Sequence, residues 1–134
     1  RSRIQEMTAM SVLIVDDDPV ERHLISALLG LVDRTLESCH AESAEDGLRA
    51  LVSDRHIELV LVDMNLTGMS GVDMVDAMER QNMRVPVAII TGYDPPVVSR
   101  YQAFFLGAWR KPILRYELRE ILVAAKSAID RRTE

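Results

Sequence analysis

The chain has 134 residues, 48% of them hydrophobic, and a formal net charge of -5 at pH 7. That is the length of one domain with one ordinary core, and it leaves no room for a second domain of typical size. The acidic balance argues against binding a nucleic-acid backbone, and no apolar stretch approaches the roughly 20 residues of a membrane span.

Short apolar runs then alternate with amphipathic stretches along the chain, the rhythm of βαβ units. The first predicted strand is Val12 to Val15, and Asp18-Pro19-Val20-Glu21 opens the first helix with a capping residue three before an acid. A weaker strand falls near Glu37 to Ala41, and Ser43-Ala44-Glu45-Asp46 starts a second helix. Ile57 to Val62 is the third strand, and Ser70-Gly71-Val72-Asp73 starts the third helix. Val85 to Ile90 is the fourth strand, with a helix opened by Asp94-Pro95; a short fifth strand lies around Ala108 to Arg110. Leu114, Leu118, Ile121, Leu122, Ala125 and Ile129 give the last helix one apolar face. Linkers of this length suit crossover helices, so the expected fold is α/β with a five-stranded parallel sheet. Residues 1–10 read as a leader or linker, 11–130 as the domain and 131–134 as a tail.

The sole cysteine, Cys39, cannot form an internal disulfide. Together with the lack of an apolar stretch behind Arg1-Ser2-Arg3, this fits a cytoplasmic protein without a secretory leader. A chain opening on arginine reads as an excised piece or a tag remnant.

Asp16, Asp17 and Asp18 follow directly on the apolar run Val12-Leu13-Ile14-Val15. Adjacent carboxylates repel, and they are tolerated where a hard cation or helix N-terminal amides absorb the charge. A divalent-metal site and a helix cap with two solvated charges are both open readings of the triplet alone. In a parallel sheet, chemistry gathers at the carboxyl ends of the strands. Those ends carry the Asp triplet, Asp63, Thr91-Gly92 and Lys111-Pro112. Lys111 stands out, because Lys111 and Lys126 are the two lysines among 16 basic residues.

Together these residues resemble the receiver domain of two-component response regulators. The matching pieces are Val15-Asp16-Asp17-Asp18-Pro19, Val62-Asp63-Met64-Asn65-Leu66-Thr67-Gly68-Met69-Ser70-Gly71, Ile90-Thr91-Gly92-Tyr93 and Lys111-Pro112-Ile113. The resemblance runs from about Val12 to Ile129. It implies a flavodoxin-like doubly wound sheet of order 2-1-3-4-5 with helices on both faces. It also implies phosphoryl transfer from a phosphohistidine, on a histidine kinase or histidine phosphotransfer protein, to the aspartate that matches here as Asp63. By the same match Asp17 and Asp63 bind Mg²⁺ directly with the backbone carbonyl of Asn65, Asp16 acts through water, and Thr91 and Lys111 meet the phosphoryl oxygens. The expected role is a signalling switch in a two-component system or phosphorelay. It would be a free-standing regulator or the receiver part of a hybrid histidine kinase or larger response regulator, and not a turnover enzyme.

The chemistry suits those residue types. An attacking carboxylate needs its own charge and that of the phosphoryl oxygens neutralised, which a hard cation and a compact ammonium can do. Other residues have plainer readings. Asp18 is expected as the N-cap of the first helix with Glu21 at the capping-box position. Gly68 and Gly71 serve backbone geometry, Cys39 is a buried small hydrophobe, and His23, His40 and His56 take no role. The first helix carries more apolar residues than one stripe needs, Leu24, Ile25, Leu28, Leu29, Leu31 and Val32, which suggests a docking surface.

The chain also departs from the family pattern. The stretch between Gly107-Ala108 and Lys111 is about three residues shorter, so either a truncated fifth strand or a rebuilt loop before it is expected. Ala108 stands three before the lysine, where an aromatic is common, with Trp109 beside it. Thr67 stands where proline is common, and Tyr93 is placed to shield an acyl phosphate. A homodimer through the fourth helix, fifth strand and fifth helix is possible for the family. Two alternatives remain: a Mg²⁺-dependent phosphohydrolase with an aspartyl-phosphate intermediate, and a degenerate receiver used only as a binding module.

Overall fold

The computed structural model describes residues 10–93 and 104–132. Five parallel strands form one sheet in the order β2-β1-β3-β4-β5. They are β1 Ser11–Val15, β2 Glu37–Ala41, β3 Ile57–Asp63, β4 Val87–Thr91 and β5 Phe105–Arg110. Four helices are described: α1 Pro19–Val32, α2 Ala44–Ser53, α3 Gly71–Arg80 and α4 Arg115–Arg131. The helix expected to open at Asp94-Pro95 lies outside the described residues.

The central strands read as continuous apolar runs because both faces are covered. Alternate residues sort into two layers. Val12 and Ile14 of β1, Leu59 and Leu61 of β3, and Ala88 and Ile90 of β4 meet Ile25 and Leu29 of α1 and Leu118, Ile121 and Ala125 of α4. Leu13 and Val15, Val60 and Val62, and Val87 and Ile89 meet Leu51 of α2 and Met74, Val75 and Met78 of α3. Each fully buried Leu, Ile or Val stabilises the fold by about 1.5–3 kcal/mol relative to exposure. A one-residue slip of β1 would swap its two side-chain sets between the layers, so this pattern fixes the register.

β2 is an edge strand with one buried residue, Ala41, which is why its sequence signal is weak. Cys39 is therefore half-buried, not buried as expected, with Sγ 3.6 Å from Ser11 Oγ.

The fifth strand is not truncated. It starts at Phe105, three residues before the expected Ala108, and has six residues. Its pairing with β4 skips from Val87↔Phe105 to Ala88↔Gly107, and Gly107 takes φ 136°, so one extra residue is absorbed as a bulge. The bulge lets Phe105 and Ala108 face the α2/α3 layer while Leu106 and Trp109 face α1 and α4. Trp109 thus packs on the opposite face from Ala108 and does not replace the aromatic absent at that position.

The helix starts follow their side chains. Asp18 caps α1 by accepting from the Val20 N–H at 2.9 Å, and Ser43 caps α2 by accepting from the Asp46 N–H at 3.0 Å. At α3 both halves of the capping box form, Asp73 N–H to Ser70 Oγ and Ser70 N–H to Asp73 Oδ2, each 3.1 Å. At α1 the expected box does not form: the Asp18 N–H is donated to Asp16 Oδ1 at 2.9 Å, and Glu21 turns to Lys111.

Candidate phosphoacceptor site

The pocket is built where β1, β3 and β4 end and the chain leaves β5. Asp16 is held from three directions. Its backbone N–H donates to Ala41 O at 3.1 Å, its Oδ1 accepts from Asp18, and its Oδ2 accepts from Lys111 Nζ at 3.1 Å. A fourth bond reaches its carbonyl, which accepts from Arg22 Nη1 at 2.5 Å. Asp16 is 2% exposed; full satisfaction is what lets a carboxylate persist at that depth.

Asp63 closes β3. Its Oδ1 accepts from the Asn65 N–H at 3.3 Å, and its Oδ2 lies 3.7 Å from Lys111 Nζ. Burial pushes the Asp63 carboxyl above its ordinary range, with Lys111 and the Asn65 N–H opposing that rise and the Asp16 and Asp17 charges adding to it. Lys111 shows the converse balance. Burial pulls its ammonium down, but Asp63, Asp16 and Glu21 together outweigh burial and leave it raised. The lysine is therefore charged and anchored among carboxylates, with Glu21 Oε1 at 3.2 Å.

Thr91 ends β4 and is fully buried, with Oγ accepting from the Tyr93 N–H at 3.1 Å. Its carbonyl accepts from the Lys111 N–H at 2.7 Å, which ties the exit of β5 to the end of β4. The Lys111-Pro112 peptide is cis.

The structure thus brings Asp16, Asp17, Asp63 and Lys111 together, with Asn65 tied to them through its N–H to Asp63 Oδ1 and Thr91 through its carbonyl to the Lys111 N–H. One carboxylate oxygen each from Asp16, Asp17 and Asp63 lies within 4.8 Å of the others, with Asp17 exposed and the other two buried. An all-oxygen, carboxylate-only donor set suits a hard divalent cation such as Mg²⁺ and offers nothing to a softer metal. The residues present fit that ion.

Two contributors escaped the sequence reading. Glu21 was assigned to a capping box that does not form. Arg22 is 9% exposed on α1, and its Nε is a buried donor without a hydrogen-bond partner. The available signal was spacing: Arg22 stands three before Ile25 and seven before Leu29 on the core-facing side of the helix, where a charge needs a reason.

The sequence model described as "Response regulator receiver domain" matches residues 12–123. The chain belongs to that family. Among curated relatives, it is 33% identical over 122 residues to the response regulator protein PilR of Pseudomonas aeruginosa, a match covering 89% of this chain and 26% of the relative. It is 30% identical to the positive alginate biosynthesis regulatory protein of the same species, covering 87% and 47%. The sensor histidine kinase AruS, also from that species, matches at 31% identity over 93% of this chain and 14% of the kinase. The chain therefore spans between about a seventh and a half of the length of these relatives. Among solved structures, the N-terminal domain of a response regulator/sensory box/GGDEF 3-domain protein from Carboxydothermus hydrogenoformans aligns with TM-score 0.78 at 23% identity, covering 92% of this chain and 99% of that one. At that identity the likeness is one of fold.

Proposed function

We propose that this receiver domain accepts a phosphoryl group on Asp63 and that Asp16, Asp17, Asn65, Thr91 and Lys111 serve that transfer. The observation that carries the reading is the convergence of three carboxylates and one charged lysine, drawn from the ends of β1, β3 and β5, on a single site. Asp63 is the only one of the three acids at the end of the third strand, and the phosphohydrolase reading would place its nucleophile on the first.

A carboxylate oxygen of Asp63 attacks phosphorus; the O–P bond forms as the P–N bond to the donor histidine breaks, and the bonding pair stays on that ring nitrogen, so that a donor ring protonated at its other nitrogen leaves as neutral imidazole. When bound, Mg²⁺ held by Asp16, Asp17, Asp63 and the Asn65 carbonyl supplies positive charge against the phosphoryl oxygens. Lys111 Nζ, already 3.7 Å from Asp63 Oδ2, moves onto a phosphoryl oxygen. Thr91 supplies a hydroxyl donor. Each such group contributes on the order of two to three decades in rate. Tyr93, 69% exposed beside Thr91, shields the acyl phosphate from water.

Residues 11–130 form the functional unit in this reading, within a cytoplasmic regulator or hybrid kinase. Among the described residues no helix is long and apolar enough to cross a membrane. Val20, Leu24 and Leu31 on the outer side of α1 are half or more exposed, which suits docking of a histidine kinase or phosphotransfer protein. The outer face of α4 exposes Tyr116 and Val123, a candidate surface for a homodimer. Borohydride trapping after transfer from a phosphorylated histidine phosphotransfer protein, followed by peptide mapping, tests the assignment: the reduced residue is expected at position 63, and label elsewhere contradicts it.

A further inference from the structure

Lys111 has three carboxylates within reach, and the proposed acceptor is the most distant of them. Its Nζ lies 3.1 Å from Asp16, 3.2 Å from Glu21 and 3.7 Å from Asp63. The two shorter contacts are within hydrogen-bond range for an ammonium and the third is beyond it. Glu21 is available for this because its usual local partner is taken: the Asp18 N–H, which a capping-box glutamate would accept, goes to Asp16 Oδ1. Asp16 is already occupied on both oxygens. The Glu21 side chain is 32% exposed and that of Lys111 21%, so the pair is partly open to solvent.

From this geometry we infer that Glu21 is a positioning residue that restrains Lys111 in the unmodified domain and must release it to the phosphoryl group, so that it acts as a brake on phosphorylation. This rests on the reading of Asp63 as acceptor. An ammonium has three donors with freely chosen directions. Asp16 and Glu21 engage two of them in the unmodified domain, at 3.1 and 3.2 Å, while Asp63 at 3.7 Å engages none at hydrogen-bond distance; in the proposal, the move of Nζ onto a phosphoryl oxygen at Asp63 is made at the expense of the Glu21 contact. Glu21 also adds a negative charge to the approach of an anionic phosphodonor. Both effects have the same sign: removing the Glu21 charge favours the phosphorylated state. For a partly exposed ion pair the gain is about threefold to fivefold.

Beryllofluoride, a phosphoryl mimic that binds carboxylates, provides the test in the presence of Mg²⁺. Its affinity is measured for the parent, Glu21→Gln and Asp18→Asn. Asp18→Asn removes a neighbouring charge from a residue that only caps α1, and asparagine caps equally well. In parallel, NMR reads the scalar coupling across the hydrogen bond between Lys111 Nζ and the Glu21 carboxylate. The expected results are a coupling in the free parent that disappears in the complex, a threefold to fivefold tighter complex for Glu21→Gln, and a smaller change for Asp18→Asn. No coupling in the free protein, a coupling that survives in the complex, or an equal or weaker complex for Glu21→Gln overturns the proposal. So does an equal gain from Asp18→Asn, which would reduce the effect to net charge. If the parent itself fails to bind beryllofluoride in an Asp63-dependent way, the acceptor reading falls and the brake with it. Asp63-dependent binding without a Glu21→Gln gain overturns the brake alone.

Discussion

Gly71, the first residue of α3, lies directly against the carbonyl of Asp63. A Cβ at position 71 would sit 2.7 Å from Asp63 O and 3.0 Å from Met64 Cα. The Gly71 N–H donates to Met64 O at 3.0 Å in the same place. The loop of residues 64–70 thus returns onto the strand end that carries Asp63, and it can do so only without a side chain there. Gly71→Ala is expected to destabilise the domain by about 1–3 kcal/mol, because the clash is with backbone and cannot be relieved by a rotamer change. The same shift should displace Asp63 and slow its phosphorylation. Urea unfolding and the rate with acetyl phosphate check both.

Asp63 costs stability. Burial raises its carboxyl pKa above the ordinary 3.8, so the folded state holds the proton more tightly than the unfolded chain does. The stability tied to that group is therefore complete below pH 3.8 and lost as pH rises through the raised value. At neutral pH the ionised carboxylate opposes folding, and Asp63→Asn is expected to raise Tm by a few degrees. The difference from the parent should shrink as pH is lowered toward 4, which thermal melts across that range measure.

Removing Lys111 should separate metal binding from chemistry. Its ammonium lies among Asp16, Glu21 and Asp63, so its loss leaves the carboxylates less compensated and more attractive to a cation. Lys111→Ala is expected to bind Mg²⁺ more tightly by calorimetry while accepting a phosphoryl group on the order of two to three decades more slowly. A parallel loss of both would indicate collapse of the pocket instead.

A second pH dependence arises away from the pocket. The rings of His23 and His40 face one another at a tilt of 39° with centroids 5.4 Å apart. His40 is exposed on the edge strand, and its slight desolvation, then the charges of Arg22 and His23, push its imidazole below the ordinary 6.5. A depressed value means the unfolded chain takes the proton first, so this contribution is full above pH 6.5 and is lost as pH falls through the depressed value. His40→Gln should lose less stability than the parent between pH 7.5 and 5, read from urea midpoints.

Much of this was legible in the sequence because it depends on local signals. β1, β3 and β4 announce themselves as buried apolar runs, and Asp16, Asp17, Asp63, Thr91 and Lys111 follow from reading what stands at each strand end. What was not legible depends on partners distant in the chain. Glu21 has a cap motif around it, and only the position of Lys111, 90 residues later, shows that the motif is not used. The start of β5 at Phe105 was hidden by the Gly107 bulge, which breaks the alternation that marks a strand. Beyond its spacing, Arg22 has no local signal for its role, since its partner is the carbonyl of Asp16, before the helix begins.

The central claim, that Asp63 is the phosphoacceptor of this receiver domain, is tested most directly by intact mass. The protein is incubated with Mg²⁺ and acetyl phosphate, alongside Asp63→Asn. The account predicts an acid-resistant, base-labile gain of one phosphoryl group on the parent and none on the variant. No gain on the parent with Mg²⁺ bound, or an equal gain on Asp63→Asn, would contradict it.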